Sequence, residues 1–198
     1  MNNIVNLRTL TSARGVPIVV FVDMQKEYLA TPRLVAIPNI EPAIENCRKV
    51  LARSRKSGLP IVFIRWLSQS APFFNKATPF VGWIDGFEPQ RSELVFERKR
   101  PSCYASEGFA ELMHHGGADV VLAGFAGETA CLSTLVDAFH RNHRMTFLAD
   151  ASASHQLDTM TSENVHSAVS NIAALYCEVT QTDAWLKTIC RMDEVISD

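Results

Sequence analysis

The chain has 198 residues and a mass of 22.0 kDa, the length of one ordinary domain. Hydrophobic residues make up 47% and charged residues 20%, enough apolar material for a substantial core. Nineteen Lys and Arg against 21 Asp and Glu give a net charge of −2. That balance excludes a basic nucleic-acid binder or a polybasic membrane anchor as the default, and no apolar run approaches the ~20 residues of a membrane span.

The first fifteen residues contain no apolar h-region, which predicts no secretory signal and a cytoplasmic protein. The first apolar run, Pro17–Val22, is continuous rather than alternating, the pattern of a strand covered on both faces in a parallel sheet. Glu41–Lys56 follows with Ile44, Cys47, Val50 and Leu51 at helical spacing and a Ser57-Gly58 stop. Pro60–Ile64 reads as the second strand and Glu93–Glu97 as a weaker one. Between them, Leu67–Gln90 is rich in Pro, Phe and Trp without periodicity. A loop of that length is usually functional, as a wall of a pocket or a subunit contact.

Ser106–His115 is a helix ending at Gly116-Gly117, Ala118–Ala123 a strand, and Thr129–Asn142 an amphipathic helix. Met145–Ala149 is a strand, Ser162–Ala174 a helix, and Leu175–Val179 a sixth strand candidate. With neither repeats nor linkers, residues 1–198 read as a single domain. Alternating strands and helices predict an α/β layered fold with a parallel sheet, whose chemistry gathers at the carboxyl ends of the strands.

Three polar positions fall at such ends. Asp23 ends the first strand, Arg98 and Lys99 follow Leu94-Val-Phe96, and Cys131 opens a helix after the Gly124-Phe-Ala-Gly127 turn. A cysteine in a first helical turn feels the positive end of the dipole, a carboxylate can take its proton, and a cation stabilises the pair. Turn glycines let a carbonyl approach backbone N–H groups. Each feature also has a plain structural reading: a capping Asp, a buried inert Cys, solvated basic residues. The five cysteines, Cys47, Cys103, Cys131, Cys177 and Cys190, are too scattered for a disulfide framework or zinc site. His140 and His143 share a helical face, most simply a solvated one. No G-x-G-x-x-G or P-loop follows a strand, which argues against a nucleotide-binding protein.

Val20-Phe-Val-Asp23-Met-Gln25-Lys-Glu-Tyr28 resembles the D-x-Q-x-x-[FY] opening of the isochorismatase-like cysteine hydrolases. Glu97–Tyr104 is similar to their K-x-x-x-S-A-F segment. Leu122–Thr134, with Asp137-Ala138 and Asp150-Ala151, is similar to their G-x-x-T-x-x-C-V-x-x-T … D-A … D-A block. The resemblance implies a three-layer α/β/α sandwich around a six-stranded parallel sheet of order 3-2-1-4-5-6, in dimers or larger homo-oligomers. It implies an Asp–Lys–Cys triad with Asp23 as general base and Cys131 as nucleophile. The N–H groups of Gly127 and Cys131 would form an oxyanion hole beside a cis Ala126–Gly127 peptide. Gln25, Tyr28, Trp66 and Tyr104 would shape the pocket.

The chain departs from that pattern at three places. Counted from Tyr104, the lysine position holds Arg98, and Lys99 is one residue off, on the opposite face of a strand. A guanidinium keeps the charge but cannot shuttle protons. The family's Thr three residues before the cysteine is Glu128, a carboxylate beside the nucleophile that either raises the thiol pKa or contacts substrate. The D-x-H-x-x-H metal site of the nicotinamidase branch is absent from Ile64–Ser70, so neither metal nor cofactor is expected. The expected activity is metal-independent cleavage of a C–N amide or carbamoyl bond in a small molecule, with Arg65, Arg98 or Lys99 available for a substrate carboxylate. The alternative is a catalytically weak binding or scaffold protein of the same fold.

Overall fold

A computed structural model describes residues 16–116 and 119–196. The N-terminal stretch read for a signal, together with Gly117 and Ala118, lies outside the described residues. Six strands form one parallel sheet in the order β3-β2-β1-β4-β5-β6: β1 Ile18–Val22, β2 Ile61–Trp66, β3 Leu94–Arg98, β4 Val120–Gly124, β5 Met145–Ser152 and β6 Glu178–Thr180. The parallel sheet is what the strand–helix alternation predicts, and its six-stranded order is the one the family resemblance implies. Helices are α1 Glu41–Lys56, α2 Glu107–Gly116, α3 Leu132–His140, α4 Ser162–Ala173 and α5 Thr182–Ile196.

Alternate residues of the central strands supply two cores. Val19 and Phe21 pack with Cys47 and Val50 of α1 and Trp185 and Ile189 of α5. Ile18, Val20 and Val22 pack with Phe109 and Leu112 of α2, Leu135 and Ala138 of α3 and Ala173 of α4. Every residue of β1 and β4 is buried, which is why those runs are apolar throughout. β3 lies at the edge and alternates in exposure.

Two features separate the structure from the sequence reading. The helix expected from Thr129 begins earlier, as a π turn over Gly127–Cys131 that runs into α3. A helix the reading missed, α5, packs its N-terminal half on β5 and α1. The aromatic loop folds onto its own domain. Phe74 packs on Tyr28, Trp83 on Phe63 and Phe87 on Phe21, with ring centroids 5.3, 5.5 and 6.1 Å apart. Its anchor is buried Glu27, which accepts from the Phe74 N–H at 3.1 Å and pairs with Arg33.

Strand register sets what meets at the carboxyl edge. Val22 is level with Ile64 and Gly124, and Trp66 is level with Arg98. A bulge in the β4–β5 ladder makes Ser152 the partner of Gly124. Asp23, Trp66, Arg98, the 125–131 turn and Ser152 therefore converge on one end of the sheet.

Candidate active site

Asp23 leaves β1 with φ of 47°, a left-handed conformation rare outside glycine but tolerated by Asp. That turn sends its carboxylate into the interior, where it is completely buried. Oδ2 accepts from the Tyr28 hydroxyl at 3.4 Å and from Arg98 Nη2, while Oδ1 has no hydrogen-bond partner among the described residues. Burial pushes the Asp23 carboxyl up to about 6, against the pull of Arg98. The group is a carboxylate at neutral pH, yet basic enough to accept a proton.

Arg98 ends β3 and is 2% exposed. It pairs with Asp23, donates through Nη1 to the Arg100 carbonyl at 2.5 Å, and lies over the Trp66 ring at 4.7 Å. A buried ion pair gains little over apolar residues, but removing one partner costs about 3–5 kcal/mol. Arg98 thus holds Asp23 charged. Lys99 is exposed, turned outward by the one-residue step along the chain. The structure does not bring it to the cluster; among the described residues the cation paired with the carboxylate is Arg98. Arg65 is also elsewhere, paired with Glu97 at 2.8 Å.

Cys131 is fully buried. Its hydrogen bonds run to the Gly124 carbonyl at 3.4 Å and the Ser152 hydroxyl at 3.8 Å, not to Asp23. Burial pushes the thiol well above its ordinary value; Ser152 opposes that, while Cys103, Asp23 and Glu128 add to it by charge. The resting group is a thiol within electrostatic reach of the carboxylate. Cys103, which sequence reasoning left unassigned, is buried in the same cluster. Its N–H donates to Thr134 Oγ1 at 2.9 Å, one helical turn beyond Cys131. Ser152 was also missed, because only the bulge puts it beside the sulfur.

The motif register around the sulfur is offset. Gly124 stands seven residues before Cys131 and Thr134 three after it, where the pattern has six and four, so strict counting falls on Ala130. The turn itself is π-type, in which five residues cover roughly the arc of four. Its entry is tight. A Cβ on Gly124, at φ of 117°, would lie 2.1 Å from the Val22 carbonyl oxygen, and one on Gly127 would lie 2.7 Å from Ser154 Oγ.

The expected oxyanion donors are already occupied. Gly127 N–H donates to the Ala153 carbonyl at 2.8 Å and Cys131 N–H to Ala126 at 3.1 Å. The cis peptide is Phe125–Ala126, one residue earlier than expected. Gln25 spends its amide on structure: Oε1 accepts from Trp66 N–H at 3.0 Å, and Nε2 donates to the Trp66 and Val81 carbonyls at 3.1 and 2.9 Å. Tyr28 does reach the cluster, through Asp23. Tyr104 does not; its hydroxyl meets His143 Nδ1 at 2.7 Å beyond the far end of α3, and Arg141 covers its ring at 4.8 Å. Glu128 is held by His155, with Oε1 2.6 Å from Nδ1 and Oε2 accepting from the His155 N–H at 3.3 Å. Among the described residues, no group of three or more His, Cys, Asp or Glu side chains is arranged to hold a metal ion, and no helix is long and apolar enough to cross a membrane.

The family model for the isochorismatase domain matches residues 17–184. An isochorismatase from Pseudomonas putida superposes with a TM-score of 0.76 at 26% identity, covering 90% of this chain and 97% of that one. The ureidoacrylate amidohydrolase RutB of Pseudomonas syringae is 24% identical, over 88% of this chain and 84% of its own. The maleamate amidohydrolase of Pseudomonas putida is 23% identical, over 65% and 68%. With its family model spanning most of the sequence and its sheet in the matching order, the chain belongs to the isochorismatase family of hydrolases.

Proposed function

We propose that the chain is a metal-independent cysteine hydrolase that cleaves the C–N bond of a small amide or carbamoyl compound, with Cys131 as nucleophile, Asp23 as general base and Arg98 as the fixed cation. The observation that carries this reading is the free Oδ1 of a fully buried Asp23, whose other oxygen is committed to Arg98 and Tyr28. A buried acceptor without a partner is costly, and the Cys131 thiol lies close enough to feel the charge of this carboxylate. Similarity to two amidohydrolases supports the bond type.

In this mechanism Oδ1 takes the thiol proton as sulfur attacks the substrate carbonyl carbon. The tetrahedral intermediate collapses, and the proton passes from Asp23 to the leaving nitrogen, releasing amine and a thioester. Asp23 then deprotonates a water that attacks the thioester; the acid leaves and the proton returns to sulfur. Arg98 moves no proton. It keeps Asp23 ionised between steps. The chemistry calls for no metal, and Ile64–Ser70, from the end of β2 into the following loop, has no histidine to bind one.

The closed resting site favours a second reading, a catalytically weak member of the family. The sulfur has no solvent-exposed surface, and both expected oxyanion donors are engaged. Substrate reaches the sulfur only after the packing around it opens. A panel of small amides and N-carbamoyl compounds, assayed with the parent and Cys131→Ala, decides between them. Turnover by the parent that disappears in the variant supports the hydrolase. Equal turnover removes Cys131 as nucleophile, and no turnover by either favours the weak member.

A further inference from the structure

The π turn that presents Cys131 also carries a carboxylate, Glu128, three residues earlier. Its side chain is 9% exposed, and its charge bears on both the Cys131 thiol and the Tyr28 phenol. An anion there opposes what nucleophilic catalysis needs, because it disfavours the thiolate and any oxyanion formed beside it. The structure answers that charge with one residue, His155, in the segment after β5.

His155 grips both carboxylate oxygens. Its Nδ1 lies 2.6 Å from Oε1 and its backbone N–H donates to Oε2 at 3.3 Å. Its other ring nitrogen, Nε2, lies 3.0 Å from the Val35 carbonyl. A carbonyl only accepts, so Nε2 must carry a hydrogen. A carboxylate also only accepts, so Nδ1 must carry one as well. A ring facing two acceptors is satisfied as the imidazolium. The ring sits 5.9 Å from that of Tyr28, which hydrogen-bonds Asp23.

We propose that His155 is a positioning residue that neutralises Glu128 and turns it from the Cys131 sulfur, so that a thiolate can form in a turn that otherwise carries an adjacent negative charge. The proposal rests on the reading of Cys131 as nucleophile. It makes Glu128 a restrained charge rather than a group that binds substrate. Among the described residues, the groups that face the pair include the Tyr28 ring from the turn after β1, the Val35 carbonyl from the following loop, and the Cys131 thiol from the π turn. Tyr28 in turn feels Asp23 and Arg98.

The pH behaviour follows with a definite sign. Burial works against the charged imidazole, but the hydrogen bond and charge of Glu128 override it, and His155 stays protonated above its ordinary 6.5. Glu128 is likewise held below its ordinary 4.5: burial opposes this, and His155 outweighs it. The pair is intact between these limits. As pH rises through the His155 value, the imidazolium is lost, Glu128 is uncovered, and the thiol becomes harder to ionise.

The test is the pH dependence of iodoacetamide alkylation at Cys131, resolved from the other cysteines by peptide mass spectrometry. It compares the parent, His155→Gln, Glu128→Gln and the double variant. His155→Gln is expected to raise the apparent thiol pKa by about one unit, slowing alkylation by up to about tenfold at pH values below the parent's midpoint. Glu128→Gln is expected to react at least as fast as the parent, and the double variant to recover to within about twofold of Glu128→Gln. Hydrolysis should follow the same order. If both single variants are slow and the double slower still, the pair only holds the fold and the proposal is overturned. It is equally overturned if His155→Gln leaves the alkylation profile unchanged. Parent-level hydrolysis by Cys131→Ala defeats the nucleophile reading instead, and the alkylation series separates the two failures.

Discussion

Two thiols lie on opposite faces of the same strand end, and the contrast between them shows what makes a cysteine a candidate nucleophile. Cys47, on α1, is fully buried and donates to the Ala151 carbonyl at 3.1 Å. Cys131, on the other face, is equally buried and donates to the Gly124 carbonyl while meeting the hydroxyl of Ser152, the next residue of β5. Burial pushes both thiols up. Neither burial nor hydrogen bonding to a backbone carbonyl distinguishes them. Both sit among apolar side chains. What differs is the carboxylate nearby: Cys47 feels Asp150, whose Oδ1 accepts from Thr182, whereas Cys131 feels the fully buried Asp23 in company with Ser152. A buried thiol becomes reactive when an acceptor for its proton is buried with it.

The largest effect that can break the contrast is truncation of each sulfur. Cys131→Ala is expected to lower hydrolysis of a responsive amide or carbamoyl substrate about 10³-fold or more. Cys47→Ala should leave turnover within about twofold while lowering denaturant stability by about 1–2 kcal/mol, because it opens a small void. A similar kinetic loss in both variants would erase the distinction.

Asp23→Asn comes next, with turnover expected to fall about 10²- to 10⁴-fold. In the parent, kcat/KM should rise with pH through about 6, as the buried carboxyl loses its proton and becomes a base. That acid limb should vanish in the Asn variant. Arg98→Met tests the cation through stability. It strands the Asp23 charge, at an expected cost of about 3 kcal/mol at pH 8. Because the folded carboxyl already binds its proton more readily than an exposed one, the loss should shrink as pH falls toward 5, where Asp23 is neutral. Denaturant melts at the two pH values measure this; a loss that grows at low pH contradicts the assigned pair. Ser152→Ala should have the smallest effect, slowing Cys131 alkylation a few-fold by removing one weak donor and leaving Cys47 unchanged.

Much of the architecture was legible because continuous β-branched runs and 3.6-residue stripes each permit few arrangements. Strand-end logic singled out Asp23 and the Arg98–Lys99 pair, but which of the two cations faces Asp23 depends on side-chain direction at the end of β3, which the sequence left open. The arrangement around Cys131 was harder to read. A π turn has no compositional signature, so the one-residue offset from the motif was not evident. The bulge that carries Ser152 to the sulfur is a property of register, set by packing rather than by residue type. Tyr104 and Gln25 matched a pattern, but a pattern does not state where a side chain points. Tyr104 turns to His143, and Gln25 ties β2 to the aromatic loop. His155 could be marked as a strand-end residue near the pocket, but its pairing with Glu128 was hidden because the two lie 27 residues apart in the chain.

The account depends on proton transfer between Asp23 and Cys131, which needs no known substrate to test. Iodoacetamide alkylation of Cys131 should be measured against pH in the parent and in Asp23→Asn, with Cys47 as internal reference. A rise in the Cys131 rate near pH 6 in the parent, lost in Asp23→Asn and never seen at Cys47, is the expected result. Superimposable Cys131 profiles in the two proteins, rising only at strongly alkaline pH as Cys47 does, would contradict it.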